Sequence, residues 1–297
     1  MKVLNYGSLN YDYVYRVEHM VKPGETLSSL EMKTHFGGKG LNQSVALACA
    51  GAEVYHAGLV GEDGESLIEV CRNKGVCTDY ITKLKGKSGH AIIQVNTQGE
   101  NCILLYRGSN GENTEQKIVS VLENFEDGDV ILLQNEMNLL KELIDQAYEK
   151  KLKIALNPSP MNDMIKECDL EKVSLFLLNE VEGAQLTGET EAENIIDKMK
   201  EMYPKAEIVL TLGKRGSIYS SGEETCFCDS FKVDAVDTTA AGETFTGYYI
   251  AAMIEGKPIK ERLRTASAAS ALAVTRNGAV PSIPKKDEVD AFLEKTG

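Results

Sequence analysis

The chain has 297 residues, 42 % of them hydrophobic and 26 % charged, so it can bury a substantial core in one large domain or two ordinary ones and is too apolar for a disordered chain. A formal net charge of −13 argues against a general binder of nucleic acid or anionic membrane, since such proteins turn a positive field toward phosphates. The start MKVLNYGSLNYDYVYRVEHM has no long apolar core behind a basic end, and no uncharged apolar run approaches ~18 residues, so a cytoplasmic chain without a membrane span is expected.

KVLNYG reads as the first strand of a large sheet, followed directly by GSLNYD (residues 7–12), which puts Asn10 and Asp12 where the chain leaves the sheet. YDYVYRV, LSSLEMKTHF, HAIIQVN and NCILLYR are alternating or β-rich, the last two joined by the turn TQGE. They read as antiparallel pieces of a small second sheet, a lid drawn from about residues 12–36 and 89–107. Between them lies HFGGKGLNQSVALACAG (35–51), in which GGKG opens a helix carrying Val45, Ala46, Leu47 and Ala50. It is not a Walker A loop, because no Ser or Thr follows Lys39. A glycine turn with Asn42 behind it can set backbone N–H and amide groups against a polyol. Taken alone, a plain strand-to-helix turn is the commoner meaning of such glycines.

From about residue 110 short apolar runs alternate with amphipathic stretches: DVILLQ (129–134), MNLLKELIDQAYEKK, KIALNP (153–158), LFLLN (175–179), a helix over 191–202, and EIVLTLG (207–213). Leu139, Leu140, Leu143, Ile144 and Ala147 form one helical stripe. Repeated βαβα alternation predicts an α/β fold: a Rossmann-like, mostly parallel sheet flanked by helices on both faces. Glu136, Asn179, Glu182, Gly213 and Gly216 then fall at the carboxyl ends of strands, where ligands sit in such sheets. Seven scattered cysteines argue against a disulfide framework, and Cys226 and Cys228 read as two same-face residues of a strand.

DTTAAGETF (237–245) places Ala240, Ala241 and Gly242 at the N-terminus of a helix on which Phe245, Tyr249, Ala252 and Met253 recur. The first N–H groups of a helix lack helical partners, and its dipole favours an anion there. Glu243 would face that anion hole, placed to take a proton from a hydroxyl attacking a phosphoryl group, or it is simply an acid complementing the helix dipole.

In this order and spacing GSLNYD with KPGET, FGGKGLNQ, LLQNE, NEVE, TLGKRGS, DTTAAGETFTG and AVTRNGAVPSIP resemble, over essentially the whole chain, the PfkB or ribokinase-like family of sugar and nucleoside kinases. The resemblance implies ATP-dependent phosphorylation of the primary hydroxyl of a sugar, with D-ribose the first expectation and another sugar or nucleoside the alternative. It implies that Asn10, Asp12, Gly38, Lys39, Asn42 and Glu136 surround the sugar, and that Glu243 is the general base beside an anion hole at Ala240, Ala241 and Gly242. Asn179, Thr211, Gly213, Gly216, Gly242 and Ser267 would line the ATP site, Ser267 standing where relatives often carry His or Asn. Glu182 would organise Mg²⁺ through water, and Asp237, Thr239, Ala273, Arg276, Gly278 and Ser282 would bring mainly carbonyls to K⁺. A homodimer through the lid is implied as well. At 243 the family has Asp and this chain Glu. A working kinase of altered rate or substrate is the favoured expectation, with a sugar- or nucleotide-binding pseudokinase as its rival.

Overall fold

Continuous apolar runs such as VILLQ and LFLL have no polar side to give to water, so a sheet built from them needs cover on both faces. The computed structural model describes residues 1–222 and 224–296. Its elements begin with β1 (Val3–Tyr6), β2 (Asn10–Arg16), β3 (Glu31–Gly37), α1 (Lys39–Cys49), β4 (Val54–Val60), α2 (Glu65–Asn73) and β5 (Cys77–Lys83). There follow β6 (Gly89–Val95), β7 (Asn101–Tyr106), α3 (Glu115–Leu122), β8 (Val130–Gln134), α4 (Leu140–Glu149), β9 (Lys153–Asn157), β10 (Leu175–Asn179), α5 (Glu180–Thr187) and α6 (Ala192–Met202). The chain ends with β11 (Glu207–Thr211), β12 (Ser217–Ser221), β13 (Glu224–Cys228), α7 (Ala241–Ile254), α8 (Ile259–Val274) and α9 (Lys286–Lys295).

Among the described residues nine strands form one sheet in the order β13-β12-β11-β10-β9-β8-β1-β4-β5. All its pairings are parallel except the antiparallel edge β11-β12-β13. The period of two splits each strand between two cores. In β10, Leu175 and Leu177 join the layer of α1, α7 and α8, whereas Phe176 and Leu178 join the layer of α3, α4 and α6. This is the expected α/β architecture.

The second sheet, β3-β2-β6-β7, is the small one expected beside the body. Its pieces are not all antiparallel: β2-β3 and β6-β7 are antiparallel hairpins, but β2 and β6 pair in parallel. Both strands leave the body in the same sense, β2 straight out of β1 and β6 after β5, so they meet side by side. In the predicted stripe Leu139 lies outside the helix, at φ 60° as the N-cap of α4, while Leu140, Leu143, Ile144 and Ala147 are buried as expected. A helix not foreseen, α5, starts at Asn179 on a reciprocal capping box with Glu182. Cys226 and Cys228 lie two apart on β13, both packed on the core, and all seven cysteines are free. Among the described residues no helix is long and apolar enough to cross a membrane.

Candidate active site

The chain leaves β1 toward β4 on one side and returns as β8 on the other, which opens a crevice beyond the carboxyl ends of β1 and β8. The two exits are tied together there. Ser8 Oγ donates a short hydrogen bond to Glu136 Oε2, and the Lys39 N–H donates to the same oxygen at 2.8 Å. A Cβ at Gly40 would strike the Gly7 backbone, so glycine alone lets α1 start against the β1 exit, and the preceding Gly38 turns at φ 90°.

Beneath this turn runs a buried amide network. Asn5 Nδ2 donates to Gly40 O at 2.7 Å and to Ser44 Oγ at 2.8 Å, while Gln134 Nε2 donates to Asn5 Oδ1 at 2.8 Å and to Gln43 Oε1 at 2.6 Å. His56 completes it, with Nδ1 2.7 Å from Ser44 Oγ and Nε2 3.2 Å from Gly7 O. Its full burial pushes the imidazole pKa down to about 4, so it is neutral and serves as a brace.

The residues expected around a sugar converge above the turn. Asp12 lies over Gly37, where any Cβ would meet its carboxylate, and burial with the charge of Glu136 pushes its pKa up to about 7. Burial also raises Glu136, against the pull of Ser8 and Lys39. Asn10 Oδ1 accepts from Asn110 Nδ2 at 2.7 Å, which fixes the amide. Asn42 keeps a buried Oδ1 with no partner, an acceptor oriented for a donor the protein does not supply. Lys39 Nζ donates to Glu243 Oε1 at 3.0 Å, the two side chains being 26 % and 14 % exposed. Burial weakens this ammonium, but Glu243, Glu136 and Glu182 outweigh it and hold its pKa up at about 12. Carboxylates, amides and one ammonium around a roofed space suit a polyol, whose hydroxyls both donate and accept.

On the other side of Glu243 lies a pocket of about 430 Å³ whose lining includes Thr211, Gly213, Gly216, Gly242, Phe245 and Ser267. Ala240 caps α7 at φ 59°, and the first intrahelical donor is the Thr244 N–H, to Ala240 O at 2.9 Å. Among the described residues the N–H groups of Gly242 and Glu243 have no acceptor within the protein, and a Cβ on Gly242 would meet nothing within 4 Å. Free donors at a helix N-terminus beside open space form an anion cradle.

Of the expected nucleotide set only Asn179 stands outside this pocket. Its Oδ1 accepts from the Glu182 N–H at 3.0 Å, and Glu182 Oε2 accepts from the Asn179 N–H at 3.1 Å. Asp237 Oδ1 takes the N–H and hydroxyl of Thr239 at 2.9 and 2.6 Å, and Oδ2 takes the Gly278 N–H at 2.8 Å. Burial acts against this carboxylate, but those bonds prevail and hold it below the usual range. The Asp237 and Gly278 loops of the expected cation set are thereby clamped together, Ala273 and Ser282 are both buried, and the Arg276 side chain bonds Glu288 at 2.5 Å. Among the described residues no cluster of three or more His, Cys, Asp or Glu side chains could ligate a metal ion. Ser8 and Asn110 were not singled out in the sequence. Ser8 lies inside GSLNYD, yet its bond to Glu136 spans 128 positions and leaves no local trace.

The family model for pfkB family carbohydrate kinases matches residues 1–286. The chain is 34 % identical to the ribokinase of Haemophilus influenzae and 33 % identical to that of Bacillus subtilis, in each case over 97 % of both chains. Among solved structures it superposes on the Arabidopsis thaliana ribokinase complexed with ribose and ATP with a TM-score of 0.87 at 28 % identity, over 99 % of this chain and 98 % of that one. The ribokinase of Cryptococcus neoformans in complex with ADP gives 0.85 at 30 % identity over 99 % of both. A family model matched over residues 1–286, with relatives 34 % identical over 97 % of both chains, makes this chain a member of the PfkB family of carbohydrate kinases.

Proposed function

We propose that the protein is an ATP-dependent ribokinase, transferring the γ-phosphoryl group of ATP to the primary 5-hydroxyl of D-ribose. The observation that carries this reading is the position of Glu243, in the first turn of α7 between the roofed polar space of Asp12, Asn42 and Glu136 and the pocket at Gly242. Relatives at 33–34 % identity are ribokinases, and the neighbour at TM-score 0.87 holds ribose and ATP.

In this reading Asn10, Asp12, Lys39, Asn42 and Glu136 hold the sugar hydroxyls, with Gly38 giving the backbone room. Glu243 accepts the proton of the 5-hydroxyl as its oxygen bonds to the γ-phosphorus and the bond from that phosphorus to the β,γ-bridging oxygen breaks, giving ribose 5-phosphate and ADP. The free N–H groups of Gly242 and Glu243, which follow Ala240 and Ala241 in the turn, receive the charge that builds on the transferring group, while the Ala241 N–H is bonded to Thr238 O at 3.3 Å. Thr211, Gly213, Gly216 and Ser267 wall the nucleotide, and Asn179 shapes the strand end beside it.

Mg²⁺ would arrive with the nucleotide and neutralise phosphate charge, with Glu182 as a carboxylate acting on it through water. Because Asp237 spends its oxygens on Thr239 and Gly278, K⁺ would be held mainly by carbonyls of the segments carrying Asp237, Thr239, Ala273, Arg276, Gly278 and Ser282, stiffening the cradle. The lid is proposed to pair two chains in the cytoplasm.

The test is ADP release over a panel of sugars and nucleosides, with and without K⁺, for the parent, Glu243→Asp and Glu243→Gln. Ribose-dependent release that rises with K⁺ and falls roughly 10³-fold in Glu243→Gln is expected. If the parent turns over no acceptor while Glu243→Asp does, the chain is a binding protein and the reading fails.

A further inference from the structure

Lys39 and Glu243 stand 204 positions apart, each in the first turn of its own helix. A Cβ at Gly247 would lie 2.5 Å from Ala46 Cβ and 2.8 Å from Leu47 N, so α1 and α7 touch through a glycine and can close no further. Lys39 precedes Ala46 by seven residues, two helical turns, and Glu243 precedes Gly247 by four, so each sits on the stripe of its helix that meets the other. The helix contact therefore sets the gap between the two side chains.

Lys39 is held at its other end too. Its N–H is bonded to Glu136, and Gly38 and Gly40 leave its backbone one path. The ammonium reaches Glu243 Oε1 at 3.0 Å, whereas a carboxylate one methylene shorter, on the same rigid frame, would stop roughly 1.3 Å back, beyond hydrogen-bond length. The other charged groups acting on the lysine are Glu136 beyond β8 and Glu182 on α5, both acidic, with Asp12 on β2 facing Glu136 in turn. Among the described residues Lys39 is the cation set against this acidic cluster.

We propose that Lys39 is the positioning residue for Glu243: its ammonium fixes the longer carboxylate in the crevice, so the Glu at this position is matched to the lysine of the glycine turn. The pairing rests on the proposed role of Glu243 as base, but its first test does not need turnover. The carboxyl of Glu243 is followed by ¹³C NMR in the ligand-free protein, with Glu243→Gln identifying the signal, in the parent, Lys39→Met and Lys39→Arg. Removing an opposite charge at this distance should raise the carboxyl midpoint by about one pH unit or more, and Lys39→Arg should restore it. The acidic limb of the kcat profile should move by the same amount in Lys39→Met. In the Glu243→Asp background, Lys39→Met should move the midpoint less than half as far. A midpoint unmoved by Lys39→Met, or moved equally in both backgrounds, overturns the proposal. Absence of turnover in every variant would sink the kinase reading and leave the NMR result to decide the pairing.

Discussion

Two residues of the AAG turn, Ala240 and Gly242, have opposite stability demands. Ala240 holds φ 59°, a conformation that costs an L-residue with a Cβ roughly 1 kcal/mol, whereas Gly242 has ordinary helical geometry and empty space where its Cβ would be. Ala240→Gly should therefore raise unfolding stability by about 0.5–1 kcal/mol, less than the strain because glycine also loosens the unfolded chain, and should leave kcat near the parent value. Gly242→Ala should also stabilise, by a few tenths of a kcal/mol or more, since alanine is the better helix former. It should nevertheless lower kcat roughly 10²-fold, because the methyl group fills the cradle. Thermal melts and ADP-release rates on the two variants check both. A Gly242→Ala enzyme of full activity would remove the anion role of the turn. The turn itself was legible in DTTAAGETF because small residues before a helix have a local meaning. The contact of Glu243 with Lys39 was not, because it depends on how two helices pack.

At the scale of elements, strand ends were legible and pairings between them less so. The apolar runs located β8, β9, β10 and β11 because burial on both faces leaves no polar residue to blur the pattern. The parallel pairing of β2 with β6 was missed, since hairpins announce themselves through a turn and a parallel neighbour does not. Bringing the exits of β1, β2 and β8 together also crowds Asp12 against Glu136, and this has a stability consequence. Burial and the charge of Glu136 push the Asp12 pKa up to about 7 in the folded protein, above the ordinary 3.8 of a free carboxyl, so the fold favours the neutral form. Stability from this group is fully present below pH 3.8 and is lost as pH rises through 7. Asp12→Asn should be neutral for stability near pH 4 and stabilising by on the order of 3 kcal/mol above pH 8, while sugar affinity collapses. His56 runs the other way, its stability being lost as pH falls from 6.5 toward 4, but it is common to both proteins and cancels in the difference. Chemical denaturation of parent and variant at both pH values measures it, and a difference independent of pH would contradict the crowding.

At the scale of the whole molecule, a small four-stranded sheet stands beside the large one. In the lid the registered row of Asp12, His35, Ala91 and Leu105 shares one face, and Asp12 places that face over the crevice. The outermost strand β7 is exposed along its length, with Ile103 at 58 %, Leu104 at 67 % and Tyr106 at 54 %. Leu30 and Met32, on and beside β3, are exposed as well. Such a strand offers both apolar side chains and unpaired backbone groups, which chains kept as monomers usually blunt with charge. A second copy would cover it and stiffen the lid above the sugar. The parent is therefore expected to sediment as a dimer at micromolar concentration. The double variant Ile103→Glu with Leu104→Glu puts one charge on each face of β7, and it should sediment as a monomer with unchanged core stability. In the proposed reading the small sheet covers the sugar side of the crevice and not the pocket at Gly242, so the monomer should show a ribose KM raised about tenfold with the ATP KM moved far less. Analytical ultracentrifugation of both proteins, with KM for each substrate, separates the outcomes. A monomeric parent removes the dimer, and an equal rise in both KM values would mean that the lid governs the whole crevice and not the sugar alone.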